Sequence, residues 1–398
     1  MYFLGITRFS LFSPESDAWL SSRAAGKSEQ AYIDYLYAPE RIEPRLQIFG
    51  ELSLPLLAAA AEKYCLKHIV RYSEEMPERY KTQLQSLADR FSFVVLEPHT
   101  AGKSSVNPYQ IGYDMNSCGF GMYRLDDDDL VSVDFFDQVA RYVRPEFAGM
   151  RVSLARGVTA LYEDGSFSQF RDCYMPQIAI GLMSIFGGVV NGKMIAPPDV
   201  AHNRSDRYGS VVVNAEKVSW LWTRHVGQDT VYGGTSPKEA VKKQLLRFPA
   251  LDSQYDVTEA FPTLEGRIVA PKHVELASAL KIEGEGTWFE LKTGQPTFSI
   301  KVDAEYAERI YPTSALLKFK VEDADGNIVP AGGEVEGLWS SSYEHIGYFR
   351  YLPTEPGRHT HDLEVSLPEG YQIVAIGIQP FGTTPEPFVL HSLAITRD

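Results

Sequence analysis

Three cysteines in 398 residues, Cys65, Cys118 and Cys173, are too few and too scattered for a disulfide framework. With no CxxC pair there is no support for a zinc ribbon either, and a reducing, cytoplasmic setting is expected. No apolar run reaches the length of a membrane-spanning helix, so none is expected. Lys/Arg runs are also missing, and the net charge is −14, which excludes a phosphate-backbone binder; no nucleic-acid partner is expected. That charge leaves room for a diphosphate ligand, which a metal ion neutralises locally. Neither GxGxxG nor GxxxxGK[ST] occurs, and no periodic repeat emerges. The opening "MYFLGITRFSLF" has no basic stretch before it and no small-residue cleavage site after it. Interrupted by Arg8, it reads as a first strand and not as a signal peptide.

What is present is an ordinary folded composition, 44% hydrophobic and 23% charged, with length for two or three domains. Over the first 150 residues, β-rich runs at 2–9, 66–73, 91–98 and 119–125 alternate with helical patterns at about 40–64 and 77–90. That alternation predicts βαβ units and a mostly parallel central sheet. Residues 150–235 switch to antiparallel signals, with hairpins expected at Asp164-Gly165 and Asn191-Gly192. Prolines at 249, 262 and 271 and weak periodicity mark 241–270 as a linker or an irregular wrap. Alternating runs such as "FSIKV" and "LKFKV" then predict a C-terminal all-β sandwich over 271–398.

The stretch "MYRLDDDDLVSV" (122–133) sets Asp126, Asp127, Asp128 and Asp129 directly after an apolar strand. A helix follows, with Ser132 as its expected N-cap and Phe135, Phe136, Val139 and Val143 on one face. Anchored in the core at both ends, the run is more than a solvated acidic turn. An EF-hand loop is excluded, because Leu130 and Val131 fall where a ligand and a Gly are needed. The remaining reading is a Mn²⁺ or Mg²⁺ site serving a diphosphate, with Asp126 and Asp128 on the same side of an extended segment.

Together, "GITRFS", the region of Trp19 and "YRLDDDDLVSVDFF" resemble the bacterial rhamnosyl transferase family, and "RLDDDDLV" resembles the Asp-x-Asp motif of GT-A-fold glycosyltransferases. The resemblance spans roughly residues 1–235. It implies a GT-A-like nucleotide-sugar-binding domain over 1–240, a nucleoside-diphosphate sugar donor, a saccharide or glycan acceptor and a role in surface polysaccharide synthesis. Asp126 would touch the ribose and Asp128 the metal, with Asp127 and Asp129 in support. Thr7 and Arg8 would meet the nucleoside, as would Lys103 and Asn107 more weakly. A late histidine would return to the metal, His225 ahead of His202; Arg204 and Arg207 are candidates for neutralising phosphate. Asp172, Asp199, Asp206 and Asp229 are candidates for the base that deprotonates an acceptor hydroxyl. Two other readings stay open: a glycan-binding or assembly protein with a structural cation, and a metal-dependent nucleotidyl or phosphoryl transferase. In the C-terminal part, Trp288, Trp339, Tyr343, Tyr348 and Tyr351 fill a core or an interface, or stack on sugar rings.

Overall fold

The computed structural model describes residues 1–13, 28–100, 106–191, 193–228, 236–245, 247–249, 251–252, 255–269, 272–307, 311–383 and 385–397. The chain divides into two compact units, Met1–Val269 and Ala270–Asp398.

The first unit opens with β1 (Tyr2–Arg8), α1 (Glu29–Leu36), α2 (Pro39–Gln47), α3 (Leu54–Ala61), β2 (Cys65–Ser73), α4 (Glu78–Arg90), β3 (Val94–His99), α5 (Pro108–Met115) and β4 (Phe120–Arg124). β1 runs parallel to β2 on one side and β4 on the other, and β3 runs parallel to β2. Phe3 and Leu4 on β1 and Ile69 and Val70 on β2 are fully buried, as strands covered on both faces must be. Gly5 makes the close approach at the centre: a Cβ there would lie 2.1 Å from His68 Nδ1 and 2.5 Å from the Tyr123 ring. The helical pattern at about 40–64 resolves into α2, a π-helical stretch at Ile48–Ser53, and α3. Pro39 lies in the first turn of α2, where a missing N–H costs nothing.

The rest of the unit adds β5 (Leu130–Val131), α6 (Phe135–Ala140), β6 (Arg151–Leu154), β7 (Arg156–Glu163), β8 (Ser166–Tyr174), β9 (Leu182–Val190), β10 (Lys193–Ile195), β11 (Val211–Asn214), β12 (Trp220–Arg224), α7 (Pro237–Leu245) and α8 (Val257–Ala260). One sheet has the order β11-β6-β9-β4-β1-β2-β3, with β10 paired to β9; a second has the order β5-β12-β7-β8. Asp164 and Gly165 both take positive φ, 51° and 80°, and close the β7–β8 hairpin. β9 and β10 pair antiparallel around Asn191; Gly192 lies outside the described residues.

One expectation changes and another narrows. Ser132 does not cap a helix: Leu130 and Val131 first pair with Leu221 and Trp220 as β5, and α6 starts only at Phe135. The acidic run therefore connects two strands in different sheets. Of the two readings of 241–270, linker or irregular wrap, the described residues fit the wrap. Val241 and Leu245 of α7 pack with Leu161, while Val257, Ala260, Phe261 and Leu264 join an apolar cluster with Val158 and Leu221. These apolar side chains hold the segment to the first unit. Among the described residues no helix is long and apolar enough to cross a membrane.

The second unit contains β13 (Lys272–Ile282), β14 (Thr287–Gln295), β15 (Thr297–Tyr306), β16 (Ala315–Glu322), β17 (Trp339–Ser340), β18 (Tyr348–Leu352), β19 (Gly357–Ser366), β20 (Gln372–Pro380) and β21 (Phe388–Arg397). They form two antiparallel sheets, β13-β21-β15-β19 and β14-β20-β16-β18-β17. Alternate residues of β15 (Phe298, Ile300, Val302) and of β16 (Leu317, Phe319, Val321) meet in one apolar cluster. The aromatics divide: Tyr348 is buried, while Trp339 and Tyr343 are each 66% exposed.

Candidate active site

At the C-terminal ends of β1 and β4 the first unit opens into a cavity of about 600 Å³. Ligands of open α/β sheets gather at such strand ends. All four aspartates line the cavity, opposite Arg8, Arg41, Arg45, Arg224 and Arg247. Asp126 is partly exposed, but Asp127, Asp128 and Asp129 are at most 6% exposed. Burying three carboxylates side by side requires a partner for each.

The partners come from different elements. Arg124 Nη2, on β4, lies 2.9 Å from Asp126 Oδ1. Asp127 Oδ2 accepts from the Ser10 backbone N–H at 2.8 Å, and its Oδ1 pairs with Arg45. Asp128 Oδ2 accepts from Arg45 Nη2 at 2.9 Å and from His225 Nε2 at 3.1 Å. Asp129 Oδ1 accepts from the Thr223 N–H of β12 at 3.1 Å, and Ser53 Oγ donates to the Asp129 carbonyl. α2 supplies Arg41 and Arg45 one helical turn apart, so both reach the same side.

These neighbours push the carboxyls apart electrostatically. Burial raises Asp127 despite the charge of Arg45. Burial also raises Asp128, but Arg45 and the His225 hydrogen bond more than reverse that and hold it below the usual carboxylate range. Burial, with the charges of Asp128 and Asp126, holds Asp129 well above the range. Among the arginines, burial lowers Arg8 to about 10, helped by Arg124, and burial lowers Arg224 to about 10 as well.

The sequence candidates separate clearly. Asp126, Asp127, Asp128, Asp129 and Arg8 line the cavity, and His225, not among the lining residues, bonds Asp128. Thr7 does not reach it: the residue is fully buried, and its hydroxyl donates to the Leu125 carbonyl while accepting from His68. Asn107 caps α5, its side chain accepting from the N–H groups of Tyr109 and Gln110. Asp199 and Asp206 are exposed and do not line the cavity; Asp172 instead pairs with Arg156 at 3.3 Å. His202 bonds the Gln177 carbonyl, and Arg204 and Arg207 are exposed outside the lining. Lys103, Asp229 and Trp19 lie outside the described residues.

Missing from the candidates were Arg41, Arg45, Ser10, Trp222, Arg224, Gln228, Gln244 and Arg247. One signal was available. In "PERIEPRLQ" the face that carries Ile42 and Leu46 also carries Arg41 and Arg45, and a buried face with two arginines requires anions beside it.

Among the described residues no three His, Cys, Asp or Glu side chains converge as a preformed metal cage. The Asp128–His225 pair still suits a hard divalent ion. Both would be ligands of such an ion, with Asp128 Oδ2 at present bonded to His225 Nε2 at 3.1 Å and to Arg45 Nη2 at 2.9 Å. Such ions take the rest of their shell from water and substrate phosphate.

Comparison with known proteins gives the family. Residues 2–233, more than half of the chain, match the family described as "Putative rhamnosyl transferase", and the chain belongs to that family. No curated protein matches it. Among solved structures, S. aureus TarS 1-349 in complex with UDP-GlcNAc is 8% identical, with 56% of this chain and 58% of that chain covered and a TM-score of 0.26. The inositol-1-phosphate CTP transferase from T. maritima is also 8% identical, covering 63% of this chain and 98% of its own at a TM-score of 0.26. A xylan-binding module is 15% identical over 32% of this chain and 91% of its own, at a TM-score of 0.19. The chain spans 58% of the TarS chain, and likeness at these scores assigns no activity or ligand.

Proposed function

We propose that the chain is a GT-A-type enzyme that moves a sugar from a nucleoside-diphosphate donor to a saccharide acceptor. The observation that carries this reading is one cavity at parallel strand ends where four aspartates face five arginines, in a chain of this family. The nucleoside lies by the ends of β1 and β4, next to Arg8 and Asp126. Arg41 adds a guanidinium to that wall for the diphosphate, and Arg45 holds Asp127 and Asp128 in place. Asp128 and His225 are the residues to hold Mn²⁺ or Mg²⁺, which when bound neutralises charge on the leaving diphosphate. The acceptor hydroxyl needs a carboxylate base. Among the described residues only the aspartate run supplies carboxylates to the cavity wall, so the base is sought there first. The second unit, with two antiparallel sheets around one apolar cluster, is read as a β-sandwich.

The test is calorimetric titration of the full chain with UDP, dTDP and GDP, with and without Mn²⁺, followed by assays of nucleoside diphosphate release from the matching sugar donors. Asp128→Asn is expected to lower turnover at least 100-fold while the circular dichroism spectrum is unchanged. Full activity in that variant, or no binding of any nucleoside diphosphate, would sink the proposal.

A further inference from the structure

The cavity arginines are not equivalent. Arg45 is matched with Asp127 and Asp128, and Arg8 lies beside Asp126. Arg224 is only 6% exposed, yet its contacts are neutral. Its Nε donates to Thr159 Oγ1 at 3.3 Å, its Nη1 donates to Gln244 Oε1 at 2.9 Å, and its guanidinium carbon lies 3.4 Å from the Trp222 ring centroid. Among the described residues it forms no ion pair, and its Nη2 makes no hydrogen bond while remaining open to the cavity. A guanidinium fixed on two sides, stacked on a third and aimed into a cavity is a preorganised anion donor. The charge of Asp129 favours this guanidinium without forming an ion pair with it, so at such burial a ligand anion would supply the direct partner.

Its place in the fold indicates which ligand. The aspartate run is held at its first residue by Arg124 of β4 and at its last by Thr223 of β12. Arg224 belongs to the β12 end, across the run from Arg8. The same cavity is also lined by Met175, Phe248, Gln228 and Arg247, apolar faces with an amide group and a cation close enough to act on Arg224. That mixture suits a sugar ring carrying an acidic substituent.

We propose that Arg224, with Arg247 beside it, seats a carboxylate or phosphate group of an anionic saccharide acceptor. This rests on the donor reading above, because it gives the β1 end of the cavity to the nucleoside diphosphate. A step between charged substrates then proceeds with the acceptor's anion bound at one end and the donor's at the other.

The test compares the wild-type chain with Arg224→Gln, Arg224→Lys and Arg247→Gln. Nucleoside diphosphate affinity is measured by calorimetry. Binding of an oligogalacturonide and of a neutral oligosaccharide of equal length is measured by thermal shift and by transfer kinetics. The expected result is that the wild type prefers the acidic oligosaccharide. Arg224→Gln then weakens that preference about tenfold or more, leaving nucleoside diphosphate affinity within about twofold. Arg224→Lys loses part of the preference, since a lysine keeps the charge but not the fork. Arg247→Gln, at an exposed position, reports in the same direction if Arg224→Gln fails to fold. Equal binding of acidic and neutral oligosaccharides by the wild type overturns the proposal. So does a tenfold loss of diphosphate affinity in Arg224→Gln, which assigns the guanidinium to the donor. A wild type that binds the acidic oligosaccharide but no nucleoside diphosphate keeps the anion seat and removes the transferase reading.

Discussion

Each unit buries a cation, and the two are held in different ways. In the first, Arg45 is clamped between Asp127 and Asp128 on the wall of a cavity that faces four further arginines. In the second, Lys318 is 1% exposed and donates to three neutral oxygens, the Glu285 and His345 carbonyls and Gln379 Oε1, with the Trp288 ring 4.8 Å away. Burial lowers its ammonium below the usual lysine range. Lys318 is a closed arrangement, its donors consumed by acceptors that the strands and loops already position. The Arg45 cluster is an open one: charge of both signs is concentrated where a ligand has room. A buried charge satisfied by carbonyls is part of a fold, whereas charges arrayed around a void prepare for chemistry.

That contrast can be broken at three points. Arg45→Met leaves Asp127 and Asp128 buried without their cation, and a loss of about 3–5 kcal/mol is expected in urea unfolding. Next comes His68, which burial lowers to about 3 while it is held between Thr7 and Tyr123. Because the folded pKa lies below the unfolded value near 6.5, the neutral fold keeps its full stability above pH ~6.5. It loses about 1.4 kcal/mol per pH unit from this group as the pH falls towards the folded value, about 2 kcal/mol by pH 5. His68→Asn should flatten that slope; an unchanged slope between pH 7 and 5 would show that His68 titrates normally in the fold. Smallest is Lys318→Met, which strands three acceptors but leaves no unpaired charge, and a loss of about 1–2 kcal/mol is expected. If it matches the loss in Arg45→Met, the distinction between closed and open cations fails.

Local pattern made much of the frame legible. The alternating runs at 2–9, 66–73 and 91–98 correspond to β1, β2 and β3, and a turn residue pair placed the β7–β8 hairpin. The acidic run was visible because four like charges after an apolar strand are costly anywhere. Its surroundings were not. Ser132 looked like a cap because the pairing of Leu130 and Val131 with β12 depends on residues about 90 positions later. Thr7 looked like a ligand because its position at a strand end does not reveal that the Leu125 carbonyl and His68 take its hydroxyl.

By itself, the sequence determined the first strands, the β7–β8 turn and the concentration of acid at one strand end, since each follows from residues near one another in the chain. Only the tertiary structure decided what neutralises that acid. Arg45 is 82 residues from Asp127 and His225 is 97 from Asp128, and electrostatic partnership is a matter of distance through space. The same holds for Arg224, which is conspicuous because, among the described residues, the fold brings it carboxylate charge but no ion pair.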